Sequence, residues 1–371
     1  GKRAGSCRVY NFSAGPCTLP LEILETAASE LVNYRGTGMS VMEMSHRSKP
    51  YDDIHKRALA DLRELLNVPS NYQILFMQGG ASLQFACVAL NLIGNKTTAN
   101  YLTTGTWSTK ALEEARKYFP AKEVATSKAT NFTTVPNVDT WEIDPEGAYF
   151  HYCANETIHG VEFELTPEAL AKIGDLPIVA DMSSNFLSKP VDVSKHALIY
   201  AGAQKNAGPS GLTFVIIRED FLGKALAITP TMCDYKIAAD NLSMYNTPPC
   251  YNIYMSGLYF DYIKRNGGLT AFNEHALHKS GLIYEAIDQS EGFYAGPVDK
   301  AYRSRMNVPF TIQGGAENEK KFLTQAEAQG LVTLSGHRSV GGMRASLFNG
   351  MPVEGAVKLA AFMREFQASQ A

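Results

Sequence analysis

The chain has 371 residues, 45% of them hydrophobic, and carries 34 Lys and Arg against 37 Asp and Glu for a formal net charge of −3. This balance, with no polybasic run, excludes broad electrostatic capture of nucleic acid or an anionic membrane, and no apolar run approaches the length of a membrane-spanning helix. The length supports a large core and about two domains.

Leu19 to Asn33 places Leu19, Ile23, Leu24, Ala27, Leu31 and Val32 at helical spacing, with Pro20 in the first turn and Tyr34-Arg-Gly-Thr-Gly38 as the stop. Tyr51 to Leu66 predicts a second helix, ended before Pro69. Strands and helices then alternate. Ile74 to Met77 is a strand, Gly79-Gly80 a turn, and Ser82 to Leu92 a helix. Tyr101 to Thr103 is a strand and Ser108 to Tyr118 a helix. Tyr149 to Tyr152, Ile178 to Ala180, Leu198 to Tyr200 and Thr213 to Ile217 are further strands. Such alternation predicts an α/β fold around a mostly parallel sheet. Ile253 to Arg265 is a helix closed by Asn266-Gly-Gly268, and beyond it the pattern changes. Leu269 to Asp288, Glu319 to Gln329 and Val353 to Gln367 predict helices; Asn307 to Gln313, Val332 to Leu334 and Arg344 to Leu347 predict strands. This second part reads as a small α+β domain.

Open α/β sheets build their sites at the carboxyl ends of strands. Asp181 directly follows one predicted strand, and Ala201-Gly-Ala-Gln-Lys-Asn206 follows another, so Asp181 and Lys205 are expected at one crevice. Small neighbours, Gly202, Ala203, Ala207 and Gly208, leave room for a bulky aldehyde at Lys205. A desolvated pocket favours the unprotonated lysine that amine chemistry requires. An aspartate beside a pyridine nitrogen keeps that nitrogen protonated and the ring electron-withdrawing. Taken singly, a loop lysine is usually a surface residue, and an Asp after a strand usually caps a turn. Their joint occurrence in this topology carries the signal.

Gln78-Gly-Gly-Ala-Ser82 joins a strand to a helix, and a glycine turn before free helical N–H groups can bind a phosphate. An ordinary glycine turn has the same composition, and the spacing is not that of a P-loop. Trp107 follows the next strand and offers a flat indole for stacking, although a tryptophan is more often simply buried. Thr157, in Asn155-Glu-Thr157, is positioned to reach a ring hydroxyl.

In this order the residues resemble the phosphoserine aminotransferase family, pyridoxal 5′-phosphate (PLP) enzymes of serine biosynthesis. The resemblance is carried by Asn11-Phe-Ser-Ala-Gly-Pro16, Glu43-Met-Ser-His-Arg47, Gln78-Gly-Gly80, Cys153-Ala-Asn-Glu-Thr157, Asp181-Met-Ser-Ser-Asn-Phe-Leu-Ser188, Gly202-Ala-Gln-Lys205, Tyr245-Asn-Thr-Pro-Pro249, Ser304-Arg-Met306, Gly336-His-Arg338 and Gly341-Gly-Met-Arg344. These segments span nearly the whole chain.

The resemblance implies the aspartate-aminotransferase-like fold (PLP-dependent transferase fold type I), with a large PLP domain over residues 17–266 around a seven-stranded-type sheet. Residues 1–16 join 267–371 in the small domain. It further implies that Lys205 holds the cofactor covalently, Asp181 pairs with the pyridine nitrogen and Trp107 stacks on the ring. Gly80, Ala81, Ser82 and Gln204 hold the phosphate, and Thr157 is a further contact. Many bacterial members carry Arg where this chain has Ser82. Asn246 and Thr247 match a segment that reaches the phosphate of the neighbouring subunit, which implies a homodimer with shared sites. The substrates implied are glutamate or 2-oxoglutarate and phosphoserine or 3-phosphohydroxypyruvate. Arg344 is assigned to the carboxylate common to all four, since its planar fork binds bidentately. His46, Arg47, His337 and Arg338 form a distal anion cluster, the first two lent by the other subunit.

Six cysteines show no disulfide or zinc spacing, which suits a reducing compartment, the cytoplasm or an organelle such as the plastid. Cys87 and Cys153 read as core residues. The start, Gly1 to Arg8, is basic, lacks a signal peptide's apolar segment and has no Met, as a processing remnant would. His275 and His278 are expected on a helix surface, without metal. Three readings compete: a cysteine desulfurase using Cys233 or Cys250 on a mobile loop, a PLP carrier without turnover, and a nucleotide-binding module at Gly79-Gly80.

Overall fold

The computed structural model describes residues 8–370, so Cys7 and the basic start up to it lie outside the described residues. Seven strands form the large sheet: β1 (Tyr72–Met77), β2 (Asn100–Thr103), β3 (Lys122–Thr126), β4 (Phe150–Cys153), β5 (Ile178–Asp181), β6 (Leu198–Gly202) and β7 (Thr213–Arg218). Their order is β1-β7-β6-β5-β4-β2-β3. Only β7 runs against the others, pairing antiparallel with both β1 and β6.

Alternating side chains of each strand enter two separate cores. Ile74, Phe76, Ile178, Ala180, Ile199 and Phe214 pack on one face, against residues of helices Leu21–Glu30, Lys49–Leu65 and Cys250–Arg265. Leu75, Met77, Val179, Leu198, Tyr200 and Val215 pack on the other, against helices Gly80–Leu92 and Thr106–Ala115. Burial on both faces is the reason these strands read as continuous apolar runs.

A second body follows Gly267. Strands Tyr294–Ala295, Asn307–Ile312 and Met343–Ser346 form an antiparallel sheet with Asn307–Ile312 in the middle. Helices Gly268–Asp288, Gly315–Ala328 and Val353–Gln370 accompany it. Tyr10–Asn11 pairs in parallel with Leu331–Val332, and Phe12 is fully buried in the same core.

The two bodies are tied by buried polar groups. Arg305 donates to Glu162 at 2.6 Å through its side chain and at 2.8 Å through its backbone, and also reaches Ser188 and Asn273. Asn155 accepts from Ser304 at 2.5 Å and donates to Asn307 at 2.8 Å, which in turn donates to Ser346 at 3.0 Å.

The expected strands and long helices form, with shifted ends. The helix expected to reach Tyr118 stops at Ala115, because Arg116 to Phe119 close it with turn hydrogen bonds. The helix expected from Ser82 starts at Gly80, behind Gly79 in the left-handed region at φ 87°. β3, the Asn155–Glu156/Val161–Glu162 hairpin and helices Pro167–Ile173 and Tyr235–Asp240 have no counterpart among the sequence-predicted elements. His275 and His278 are exposed on helix Gly268–Asp288.

Breaking a buried ion pair from one side leaves an uncompensated charge. Glu162→Ala therefore lowers unfolding free energy by about 3–5 kcal/mol. Urea titration of the variant reads this directly; a loss below about 1 kcal/mol, the range of exposed pairs, contradicts the interlocking role.

Candidate active site

The carboxyl ends of β1, β2, β4, β5 and β6 open into a cavity of about 280 Å³. Ten sequence-predicted residues line it: Gly80, Ala81, Ser82, Trp107, Thr157, Asp181, Gln204, Lys205, His337 and Arg344.

Lys205 is 8% exposed, and its Nζ donates to Thr157 Oγ1 at 2.7 Å and Ser184 Oγ at 2.9 Å. The two hydroxyls are themselves 2.5 Å apart. Burial holds the Lys205 amine below the ordinary lysine range; Asp181, Cys153 and Glu156 oppose that shift, and Arg344 adds to it. Its backbone is pinned as well, since Cys17 Sγ donates to Lys205 O at 2.5 Å and Cys17 N–H to Gln204 O at 3.1 Å. A second buried lysine, Lys279, spends its amine on Phe348 O and Met351 O, both at 2.9 Å, and does not line the cavity.

Asp181 ends β5 directly beside Cys153 of β4. Its carboxylate accepts the Ser183 N–H at 2.9 Å. Burial pushes its pKa up, while Ser183 and the positive charge of Lys205 pull it back. Trp107 opens helix Thr106–Ala115, its ring centroid 5.7 Å from Lys205 Nζ, and its Nε1 is buried with no hydrogen-bond partner. Helix Gly80–Leu92 starts without a side-chain cap, so its first-turn N–H groups are free for an anion. Ser82 is exposed at that start.

Across the cavity Arg344 is half-buried, donates to Thr157 O at 3.3 Å and has no acidic partner among the described residues. Burial depresses its pKa. His337 binds Ser339 Oγ at 2.7 Å through Nδ1; burial and the charges of Arg344, Arg338 and Lys110 hold its pKa low. Arg338 is exposed beside it and is not part of the cavity lining. His46 and Arg47 line a separate recess with Lys49, Asp52 and Met244. Asn246 and Thr247 are exposed, and Asn246 borders another recess beneath Tyr245. A single chain thus does not bring these four to Lys205.

Two further residues, Ser184 and Glu156, stand beside the site without a role predicted from sequence. Ser184 sits within the Asp181–Ser188 segment, where a second hydroxyl near the lysine is the signal that marks it. Glu156 carries no sequence signal, because two of its three hydrogen bonds come from backbone N–H groups and the third from Ser108, 48 residues away. For a desulfurase, Cys233 is buried and Cys250 opens helix Cys250–Arg265, so neither lies on a loose loop.

A buried amine, an orphaned indole N–H, an uncapped helix start and a buried carboxylate around one cavity fit an aromatic aldehyde phosphate. The model of the family "Aminotransferase class-V" matches residues 9–359. The phosphoserine aminotransferase of Laribacter hongkongensis is 54% identical over 96% of this chain and 98% of its own. The solved phosphoserine aminotransferase of Bacillus circulans subsp. alkalophilus superposes with a TM-score of 0.94 at 46% identity, over 98% of this chain and 99% of that one. The PLP-bound phosphoserine aminotransferase of Trichomonas vaginalis gives 0.92 at 43% identity, over 96% and 100%.

The chain belongs to the class-V aminotransferases and, within them, to the phosphoserine aminotransferases. It is a transaminase, and its cofactor is PLP.

In the cofactor-free protein, covalent capture of an aldehyde by Lys205 requires its neutral amine. The capture rate should rise with pH and reach its midpoint below 10.5, the value of an unperturbed lysine. Asp181→Asn removes the largest influence raising that pKa, so the midpoint moves lower still. Stopped-flow absorbance across pH measures both; a midpoint at or above 10.5 contradicts the burial effect.

Proposed function

We propose that this chain interconverts 3-phosphohydroxypyruvate plus L-glutamate and O-phospho-L-serine plus 2-oxoglutarate, in two half-reactions through one pocket. The carrying observation is the pairing of Lys205 Nζ, buried on Thr157 and Ser184, with the unpaired Arg344 guanidinium across the same cavity.

When bound, PLP supplies an electron-withdrawing ring that acidifies the substrate Cα–H bond. Lys205 would hold the cofactor through its Nζ, and the neutral amine, when free, would serve as the base that takes up the substrate's Cα proton. Thr157 and Ser184 keep that amine in place between transfers. Asp181 would pair with the cofactor's pyridine nitrogen, and Trp107 would receive its ring face. The N–H groups of Gly80, Ala81 and Ser82, with Gln204, receive the phosphate. Arg344 binds the α-carboxylate shared by every substrate, which lets one pocket serve both half-reactions.

The distal phosphate or carboxylate meets His337 and Arg338, with His46 and Arg47 from a second subunit. Asn246 and Thr247 come from that subunit too, at the cofactor phosphate. Exposure of Met42, Met232, Leu242 and Tyr245 near these residues supports a homodimer. Residues 17–266 act as the PLP domain and 1–16 with 267–371 as the small domain. Pairing of Tyr10–Asn11 with Leu331–Val332 supports the division. The compartment is a reducing one, cytoplasm or plastid.

Adding phosphoserine to the holoenzyme should convert the visible cofactor band to the pyridoxamine form, and 2-oxoglutarate should restore it. A band unmoved by phosphoserine overturns the reaction. Lys205→Ala should abolish borohydride-stable attachment of the cofactor and nearly all turnover; peptide mapping that finds the label on another lysine refutes the assignment. Arg344→Ala should weaken glutamate and phosphoserine alike, by roughly 10–150-fold in kcat/KM, as loss of a charged hydrogen-bonding contact requires. Unchanged kinetics for glutamate remove Arg344 from its role. Arg338→Ala should harm phosphoserine more than alanine-like amines, and equal losses argue against a distal anion site there.

A further inference from the structure

We propose that Glu156 is a positioning residue that fixes the first turn of helix Thr106–Ala115, and with it the Trp107 indole, relative to the amine of Lys205. The inference rests on the reading of Trp107 as the surface that receives the cofactor ring.

Glu156 is fully buried. Its carboxylate accepts the Trp107 N–H at 2.9 Å, the Ser108 N–H at 3.0 Å and the Ser108 hydroxyl at 2.5 Å. Among the described residues no Lys, Arg or His forms an ion pair with it. Its charge is met by the amino end of the helix, where N–H groups and the helix dipole favour an anion. Burial, with a smaller push from the charge of Asp181, holds its pKa above the usual carboxylate range, and the same Ser108 and Trp107 contacts pull it back part of the way.

A helix usually caps itself with a Ser, Thr, Asp or Asn just before its first turn. That position here is Gly105, which has no side chain to offer. A Cβ at Gly105 would come within 2.6 Å of Glu156 Oε2, so glycine is what lets the carboxylate reach the backbone. The cap is supplied instead by a residue 48 positions beyond Ser108, whose N–H it accepts. The next residue, Thr157, accepts from Lys205 Nζ. Glu156 ends the short strand Asn155–Glu156, and Thr157 opens the turn that Gly160 N–H closes on Glu156 O at 2.8 Å. One dipeptide thus grips the indole-bearing helix with one side chain and the reactive amine with the other. Spacing between indole and amine is set by Glu156-Thr157 rather than by the loop leading into the helix.

The test uses the holoenzyme in a Trp141→Phe background, which leaves Trp107 as the sole indole of the chain's two tryptophans. Glu156→Gln keeps the shape but turns an amide N–H₂ towards backbone donors. It should weaken PLP retention roughly 10- to 100-fold, as loss of a charged hydrogen bond does. It should also reduce quenching of Trp107 emission by PLP, while KM for glutamate stays within about threefold because Arg344 is untouched. Gly105→Ala should move both readouts in the same direction, and it decides the matter if Glu156→Gln does not fold. Unaltered retention and quenching in these variants, with Trp107→Ala still weakening PLP, overturn the positioning role alone. Unaltered retention in Trp107→Ala overturns the stacking reading, and this inference with it.

Discussion

A lysine amine is useful to this site only while it is uncharged and held still, and most of the surrounding structure answers to that constraint. Two hydroxyls, Thr157 and Ser184, cradle Lys205 Nζ, and a hydroxyl can accept from an amine without fixing its charge. Burial and Arg344 favour the neutral form, whereas Asp181 favours the charged one. The nearest ionised groups therefore pull in opposite directions. A carboxylate alone would favour the lysine cation, and a guanidinium alone would favour the neutral amine with nothing to oppose it.

The sheet delivers these groups without special loops. β4 and β5 are parallel neighbours, so their carboxyl ends bring Cys153 and Asp181 side by side, and β6 brings Lys205 in just beyond. Arg344 arrives from the other body, on a strand whose Ser346 is tied through Asn307 to Asn155. Asn155, Glu156 and Thr157 thus make three separate connections in succession: to the small sheet, to the indole-bearing helix and to the reactive amine. Distances across the cavity are inherited from this short run.

What could be read from the sequence follows from what each element buries. β1, β6 and β7 were legible because Ile74-Leu-Phe-Met77, Leu198-Ile-Tyr200 and Thr213-Phe-Val-Ile-Ile217 are sandwiched between two cores. β3 escaped notice since it lies at the sheet edge, and Lys122-Glu-Val-Ala-Thr126 buries only Val124 fully. Helix Pro167–Ile173 did carry a signal, Thr166 capping Ala169 N–H with Pro167 in the first turn, yet its seven residues are too few for periodicity to register. In the site, Lys205, Asp181, Trp107 and Arg344, residue types with distinctive chemistry, line one cavity. Glu156 was not legible, because a buried acid bound to backbone N–H groups looks like any surface glutamate in one dimension. His46, Arg47, Asn246 and Thr247 rest on the family resemblance alone, since nothing within one chain carries them to Lys205.

Pairing of Tyr10–Asn11 with Leu331–Val332 has a temporal consequence. Residues 15–17 then pass against Lys205, where Gly15 leaves space beside its side chain and Cys17 holds its carbonyl. On a ribosome, the early segment must wait until some three hundred further residues have been synthesised before it finds its strand partner. The large sheet can assemble in the meantime, but its reactive amine lacks one wall until the late strand emerges. A product truncated before residue 337 lacks His337 and Arg344, two of the side chains that line the pocket.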